Sequence, residues 1–128
     1  GNIAGKTIAI WGAAFKQHTS STRFSPIHPM LAALWAQGVT VRLHDPQALE
    51  EIHTIYGERD NLILCEDQYD AVNQAHSLCF LNAKKQYWSL DYTQLKLKIT
   101  HPLILDGRNI YQPDYVKSQG FAYMGVGR

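Results

Sequence analysis

The sequence has little net charge and no long apolar run, and each shortage excludes a class of protein. Twelve Lys and Arg against eleven Asp and Glu leave a formal charge of +1, which gives no overall positive field of the kind that nonspecific DNA binding requires. No apolar run approaches the roughly 20 residues that span a bilayer, and the N-terminus lacks the basic and apolar segments of a signal peptide. We therefore expect neither a nucleic acid nor a membrane partner, and a cytoplasmic location.

Cysteine is scarce too, and the pattern of histidines excludes a metal site. The two cysteines, Cys65 and Cys79, lie within or at the ends of apolar runs, where cysteine is usually a small buried hydrophobic residue. The six histidines are scattered, and none has the spacing of a structural zinc site. We find no Ser-His-Asp or Cys-His arrangement, so we predict no catalytic residue and no metal ligand in this chain.

Six short apolar runs are present, and they predict strands that are buried on both faces of a parallel sheet. Between them lie helical patterns, the clearest of which starts with Ser25 as N-cap and Pro26 at the first helical position, and ends at Gly38. Further helices are predicted at 47–56, 67–75 and 113–120, whereas 91–100 fits a strand or a helix. The alternation predicts one α/β domain over 1–128, a three-layer, Rossmann-like, doubly wound parallel sheet of about six strands. The runs are 7–12, 40–45, 62–65, 77–82, 102–107 and 121–127.

The connection after the first strand is unusually long and positively charged. Such loops commonly need about 2–6 residues, but here about twelve separate Gly12 from Ser25, Lys16 and Arg23 among them. Neither the G-x-G-x-x-G turn nor the G-x-x-x-x-G-K-[ST] phosphate loop follows the strand. A long, charged loop at the carboxyl end of a strand is nevertheless where ligands bind in this kind of fold.

A second charged loop, "DGRNIY", follows the strand at 102–107. If that strand neighbours the first, Lys16 and Arg108 face one crevice, with Arg23 on its rim and Phe15 nearby. Two or three cations beside an aromatic ring suit a diphosphate attached to a flat base. The alternatives are that Lys16 is simply solvated and that Arg108 forms a structural ion pair with Asp106 or Asp45.

Three ordered motifs resemble those of one family. "GKTIAIWGAAFKQHTSSTRFSP" resembles "GKxIAVLGLAFKxxTDDxRESP", with which the C-terminal domain of UDP-glucose/GDP-mannose dehydrogenases begins. "GVTVRLHDP" is similar to "GAxVxAYDP" of that family, and the stretch from "PLILDGRNIY" to the end is similar to "xVIVDGRNIYDPxxxxxxGFxYxxIGR". The resemblance extends from Gly5 to Arg128.

The resemblance implies an NAD-dependent enzyme that oxidises the C6 hydroxyl of a nucleotide sugar to a carboxylate, UDP-glucose being the favoured substrate. Phe15, Lys16 and Arg108 then contact the UDP-sugar, and Arg23 reaches the NAD, which is held mainly by a separate N-terminal domain. A central helical region carries the catalytic cysteine and makes the homodimer. Since neither cysteine here lies in a matching motif, the 128 residues alone are expected to be inactive.

The chain departs from the family pattern in two places. Ser20 and Ser21 replace an acidic pair and Phe24 replaces a glutamate, while "LTEWxEF" appears as "LNAKKQY", with Asn82, Ala83 and Lys84 in place of Thr, Glu and Trp. These changes leave open a GDP-mannose or UDP-N-acetylhexosamine substrate, or a nucleotide-binding module without catalytic activity. A phosphoacceptor receiver domain is disfavoured, because Asp45 lacks an acidic pair at the end of the first strand.

Overall fold

A computed structural model describes residues 4–14, 21–82, 84–108 and 111–125. Strands and α-helices alternate along this part of the chain, as the apolar runs predict. The strands are β1 (Thr7–Trp11), β2 (Thr40–His44), β3 (Leu62–Leu64), β4 (Ser77–Phe80), β5 (Leu103–Asp106) and β6 (Ala122–Gly125). The helices are α1 (Ile27–Ala36), α2 (Leu49–Tyr56), α3 (Gln68–Ala71), α4 (Tyr92–Lys98) and α5 (Pro113–Ser118), and a 3₁₀ turn spans Lys85–Tyr87.

All six strands form one parallel sheet in the order β3-β2-β1-β4-β5-β6. This is the doubly wound order, in which the chain reverses direction across the sheet between β1 and β4. The predicted fold class is confirmed. The assumption that β1 neighbours β5 is wrong, because β4 pairs with both and lies between them. Two strand spacings therefore separate β1 from β5, about 10 Å.

Helices cover both faces of the sheet and give the domain two apolar cores. Alternate β1 residues point to opposite faces: Ile10 lies in one core with Leu31 of α1 and Ile52 of α2, whereas Trp11 lies in the other core, to which α3, α4 and α5 contribute. Each of these large side chains is fully buried, and such burial stabilises the fold by about 1.5–3 kcal/mol per side chain. The three layers that the sequence predicts are thus present.

Two local predictions are resolved by capping bonds. The ambiguous segment 91–100 is helical at Tyr92–Lys98, because Asp91 accepts a hydrogen bond from the Gln94 N–H and caps the first turn. Helix α1 begins at Ile27, with Pro26 as its N-cap residue, one position later than predicted. The Ser25 hydroxyl still accepts the Ile27 N–H, at 3.1 Å.

Both cysteines are buried and free in the structure, as predicted from their apolar surroundings. Burial raises the pKa of the Cys79 thiol to about 12, and it raises the pKa of Cys65 as well. Neither thiol is therefore activated as a nucleophile. Within the described ranges, no helix is long and apolar enough to cross a membrane.

Candidate functional site

The turn after β1 is fastened by a buried carboxylate from the end of β2. Asp45 Oδ2 accepts hydrogen bonds from the N–H groups of Ala13 and Ala14, at 2.8 and 3.1 Å. Its other oxygen, Oδ1, accepts from the N–H groups of Gln47 and Ala48, at 2.8 and 2.9 Å. Burial alone would raise the pKa of Asp45, but these N–H donors and the nearby Lys84 ammonium outweigh it and hold that pKa below its usual value. Asp45 is thus a charged clamp at the start of the long loop.

The same turn packs tightly against the segment that follows β4. Gly12 has a φ of +102°, and a Cβ placed there would lie 2.5 Å from Asn82 Cβ and 2.9 Å from Asn82 N. Asn82 Nδ2 donates to the Ala14 carbonyl oxygen at 2.8 Å. Glycine at position 12 therefore permits the close approach of β1 and β4 at their carboxyl ends. The Ala13–Ala14 segment is held from the β2 side by Asp45 and from the β4 side by Asn82.

A second buried carboxylate, Asp106 at the end of β5, shapes the loop that carries Arg108. Its oxygens accept the Arg108 N–H at 3.0 Å, the Tyr111 N–H at 3.0 Å and the Tyr123 hydroxyl at 2.8 Å. Gly107 lets this loop pass close to β4, because a Cβ there would lie 2.6 Å from the Phe80 carbonyl oxygen. The Arg108 side chain is exposed, and no ion-pair partner for its guanidinium occurs among the described residues. Arg108 is thus an exposed cation whose backbone N–H is held by a buried carboxylate.

Aromatic residues underlie the carboxyl ends of β1, β2 and β4. Trp11 stacks on Tyr87 with ring centroids 5.0 Å apart and an interplanar angle of 21°. The Tyr87 hydroxyl lies 2.7 Å from His44 Nδ1, and the Tyr111 hydroxyl donates to the Tyr87 carbonyl oxygen. Burial lowers the pKa of His44 and raises those of both tyrosines. This layer is therefore uncharged at neutral pH.

Of the four predicted site residues, the structure describes Arg23 and Arg108 and places them apart. Phe15 and Lys16 lie outside the described residues, although their loop starts at the clamped Ala14. Arg23 is exposed, and its guanidinium lies 4.8 Å from the centre of the Phe24 ring. The Thr22 N–H donates to the Glu51 carboxylate of α2, so Arg23 lies on the β2 side of β1. Arg108 follows β5, on the other side of β4, and the two arginines belong to opposite halves of the sheet.

The predicted alternative for Arg108, an ion pair with Asp106 or Asp45, does not occur within the described structure. Asp106 receives the backbone N–H of Arg108 instead, and Asp45 forms its ion pair with Lys84, at 3.3 Å. The sequence does not reveal this pair, because in it Lys84 stands out only as a departure from a family motif. A lysine placed after a buried strand was the one available signal. In the described part of the chain, no group of three or more His, Cys, Asp or Glu side chains could hold a metal ion.

Comparison with known proteins agrees with this geometry. The family model described as "UDP-glucose/GDP-mannose dehydrogenase family, UDP binding domain" matches residues 9–113, which include both loops. The chain belongs to this family. A UDP-glucose 6-dehydrogenase of Pseudomonas aeruginosa is 37% identical to it over 131 residues, an alignment that takes in 100% of this chain and 29% of the relative. The chain therefore spans less than a third of the length of this family member.

Solved structures of dehydrogenases share the fold. An NDP-N-acetyl-D-galactosaminuronic acid dehydrogenase from Methanosarcina mazei Go1 superposes with a TM-score of 0.82 at 26% identity, over 99% of this chain and 26% of the other. A UDP-glucose dehydrogenase from the archaeon Pyrobaculum islandicum superposes with a TM-score of 0.73 at 30% identity, over 96% of this chain and 26% of the other. Family members thus include enzymes named for different sugars, and the likeness alone does not select one.

Proposed function

We propose that residues 1–128 are a single domain, the C-terminal nucleotide-sugar-binding domain of a larger NAD-dependent UDP-glucose 6-dehydrogenase. In the full-length protein this enzyme would oxidise the C6 hydroxyl of UDP-glucose to the carboxylate of UDP-glucuronate, in the cytoplasm. The chain supplies part of the substrate site and no catalytic residue, which fits the buried and protonated state of both cysteines. The curated relative from Pseudomonas aeruginosa, named as a UDP-glucose 6-dehydrogenase, supports this choice of substrate.

The observation that carries the proposal is the pair of fastened loops at one edge of the sheet. Asp45 clamps the chain immediately before Phe15 and Lys16, and Asp106 clamps the loop of Arg108. The parent strands β1 and β5 are about 10 Å apart, a distance that long Lys and Arg side chains can bridge from both sides of a diphosphate. Arg would bind phosphate oxygens in a bidentate manner and Lys would add a point charge.

NAD would be held mainly by another part of the full-length protein. The turn after β1 lacks the G-x-G-x-x-G pattern of a dinucleotide-binding turn, and its Gly12 packs against Asn82. Arg23 is exposed and is the residue of this chain that we assign to NAD, as a cation that reaches a phosphate of the cofactor. We further propose that the full-length protein is a homodimer through its central region.

The first experiment is to measure NADH production by the full-length protein with UDP-glucose, UDP-N-acetylhexosamines and GDP-mannose in turn. Turnover with UDP-glucose is the expected result. Turnover with another nucleotide sugar alone would reassign the substrate within the family. A folded full-length protein that binds UDP but turns over none of them would be a nucleotide-binding module, and the proposed dehydrogenase would be rejected.

A substitution tests the assigned role of Arg108. In the full-length protein we expect Arg108→Ala to raise the KM for UDP-glucose at least tenfold, about 1.4 kcal/mol of lost binding energy. The expected reason is the loss of a charged hydrogen bond to the diphosphate, worth about 1.5–3 kcal/mol. Arg59→Ala is the matched control, because the exposed Arg59 packs over Trp35 before β3, far from the carboxyl edge of the sheet. An unchanged KM for Arg108→Ala would remove Arg108 from the site.

A further inference from the structure

Lys84 is a buried lysine, an uncommon feature that the proposed function does not use. Its side chain is 5% exposed, and that of its partner Asp45 is fully buried. Lys84 Nζ lies 3.3 Å from Asp45 Oδ1 and 2.7 Å from Gln47 Oε1. A lysine loses favourable hydration when it is buried, so it is tolerated in such a place only with charged and hydrogen-bonding partners. Lys84 has both, and they come from a different strand connection.

The partners of Lys84 lead directly to the candidate site. Asp45 is the same carboxylate whose Oδ2 accepts the Ala13 and Ala14 N–H groups. A single residue, Asp45, therefore links the Lys84 ammonium to the Ala13–Ala14 backbone that precedes Phe15. Asn82, two residues before Lys84, holds the Ala14 carbonyl oxygen at 2.8 Å. The segment after β4 thus contacts the turn after β1 both directly and through Asp45.

We propose that Lys84 is a positioning residue for the nucleotide-sugar site, one that acts through Asp45 to fix the backbone at Ala13 and Ala14. This inference rests on the proposed function, since it requires the Phe15–Lys16 loop to bind the nucleotide sugar. The Lys84 ammonium holds Asp45 Oδ1 and orients the carboxylate, so that Oδ2 faces the two N–H groups. It also compensates a negative charge that would otherwise lie buried beside a site for a diphosphate anion.

The role is peculiar to this arrangement of residues. The family motif that the sequence resembles has Trp at the position of Lys84, and a tryptophan cannot neutralise Asp45. Here the departure from that motif is Lys84. It replaces an apolar side chain with an ammonium group that joins the ends of β2 and β4. Because Lys84 acts on the loop assigned to the UDP-sugar, and NAD is assigned mainly to another part of the full-length protein, Lys84 should affect binding of the UDP-sugar more than binding of NAD.

The test uses steady-state kinetics of the full-length protein. We expect Lys84→Met, which keeps the length of the side chain and removes its charge, to raise the KM for UDP-glucose about tenfold, within the range that coupled neighbouring residues show. The KM for NAD should stay within about twofold, and Lys84→Arg should restore most of the loss, because Arg can still pair with Asp45. Lys85→Met is the matched control, since the adjacent Lys85 is exposed.

A double-mutant cycle separates positioning from a merely structural role. If Lys84 acts through Asp45, adding Lys84→Met to Asp45→Asn should raise the UDP-glucose KM no further than Asp45→Asn alone. A Lys84→Met protein with a lower melting temperature but an unchanged KM would overturn the inference, and so would additive effects of the two changes. If Lys84→Met does not fold, Lys84→Gln gives the same comparison with a side chain that can still hydrogen-bond.

The wild-type protein keeps this inference distinguishable from the proposed function. Isothermal titration of the full-length wild type with UDP, together with turnover of UDP-glucose, tests the function by itself. Binding and turnover by the wild type with no change in Lys84→Met would reject the positioning role and leave the function intact. A wild type that neither binds UDP nor turns over a nucleotide sugar would reject both.

Discussion

The close approach of the β1 turn to β4 makes Gly12→Ala a sharp test of the site's architecture. Gly12 has a φ of +102°, and a Cβ there would lie 2.5 Å from Asn82 Cβ and 2.9 Å from Asn82 N. Alanine at such a φ costs about 1–3 kcal/mol of backbone strain. Forcing a methyl group into a packed contact costs about another 1–3 kcal/mol. We therefore expect Gly12→Ala to lower the free energy of unfolding by about 2–6 kcal/mol.

Gly5→Ala separates strain from contact. Gly5 has a φ of +78°, but a Cβ there would meet nothing within 4 Å, so this variant has the backbone strain alone, about 1–2 kcal/mol. Both changes reduce the conformational entropy of the unfolded chain in the same way, and that contribution cancels between them. The difference between the two variants therefore reports mainly the contact with Asn82.

Equilibrium urea denaturation measures both variants against the wild type. We expect Gly12→Ala to be less stable than Gly5→Ala by about 1–3 kcal/mol, with the same dependence on urea concentration. That loss is a large fraction of the roughly 5–15 kcal/mol by which domains are stable. Equal stability of the two variants would refute the close packing of β1 on β4, and the description of the candidate site would fail with it.

Two further predictions concern the loop after β5 and the layer beneath the site. Gly107→Ala would place a Cβ 2.6 Å from the Phe80 carbonyl oxygen, so we expect urea denaturation to show a loss of about 1–3 kcal/mol and UDP titration of the full-length protein to show weaker binding. Unaltered UDP affinity would mean that the loop of Arg108 does not depend on this contact. Burial holds the pKa of His44 below 6.5, so the unfolded chain binds more protons and stability should fall as the pH decreases below about 7. Thermal unfolding between about pH 8 and pH 5 should show a shallower decrease in His44→Gln, and an identical slope would contradict the assignment.

The sequence predicts the strands well because each apolar run is nearly continuous. The predicted segments 7–12 and 77–82 start at the first residues of the observed strands β1 and β4 and extend at most two residues beyond their ends. A strand covered on both faces needs apolar residues at every position, which makes such runs easy to locate. The order of the strands is less accessible. Runs of this kind fit any place in the interior of a sheet, and nothing in them shows that β4 lies between β1 and β5.

The charged residues also divide into those that a local sequence pattern reveals and those that only the fold brings together. The exposed cation Arg108 stands out in the sequence, because a loop motif after a strand is a local pattern. The support of the site is not local: Asp45, Asn82 and Lys84 come from two different strand ends and meet only in the folded sheet. From sequence, Asp45 reads as the start of a turn and Lys84 as a departure from a motif. The contact between Asp45 and Lys84 is seen only in the three-dimensional structure.

The strand order gives β4 a central place in the proposed site, although no ligand-binding residue is assigned to it. The loops of Lys16 and Arg108 leave β1 and β5, which do not touch each other, so their relative position is set by β4 between them. The glycine at the start of each loop packs against the end of β4, Gly12 at Asn82 and Gly107 at the Phe80 carbonyl oxygen. We expect a change in one loop to move one cation of the proposed site, and a change at the end of β4 to move both. If the proposed site binds a diphosphate between both cations, we expect the residues after β4 to influence its geometry as strongly as the cations themselves.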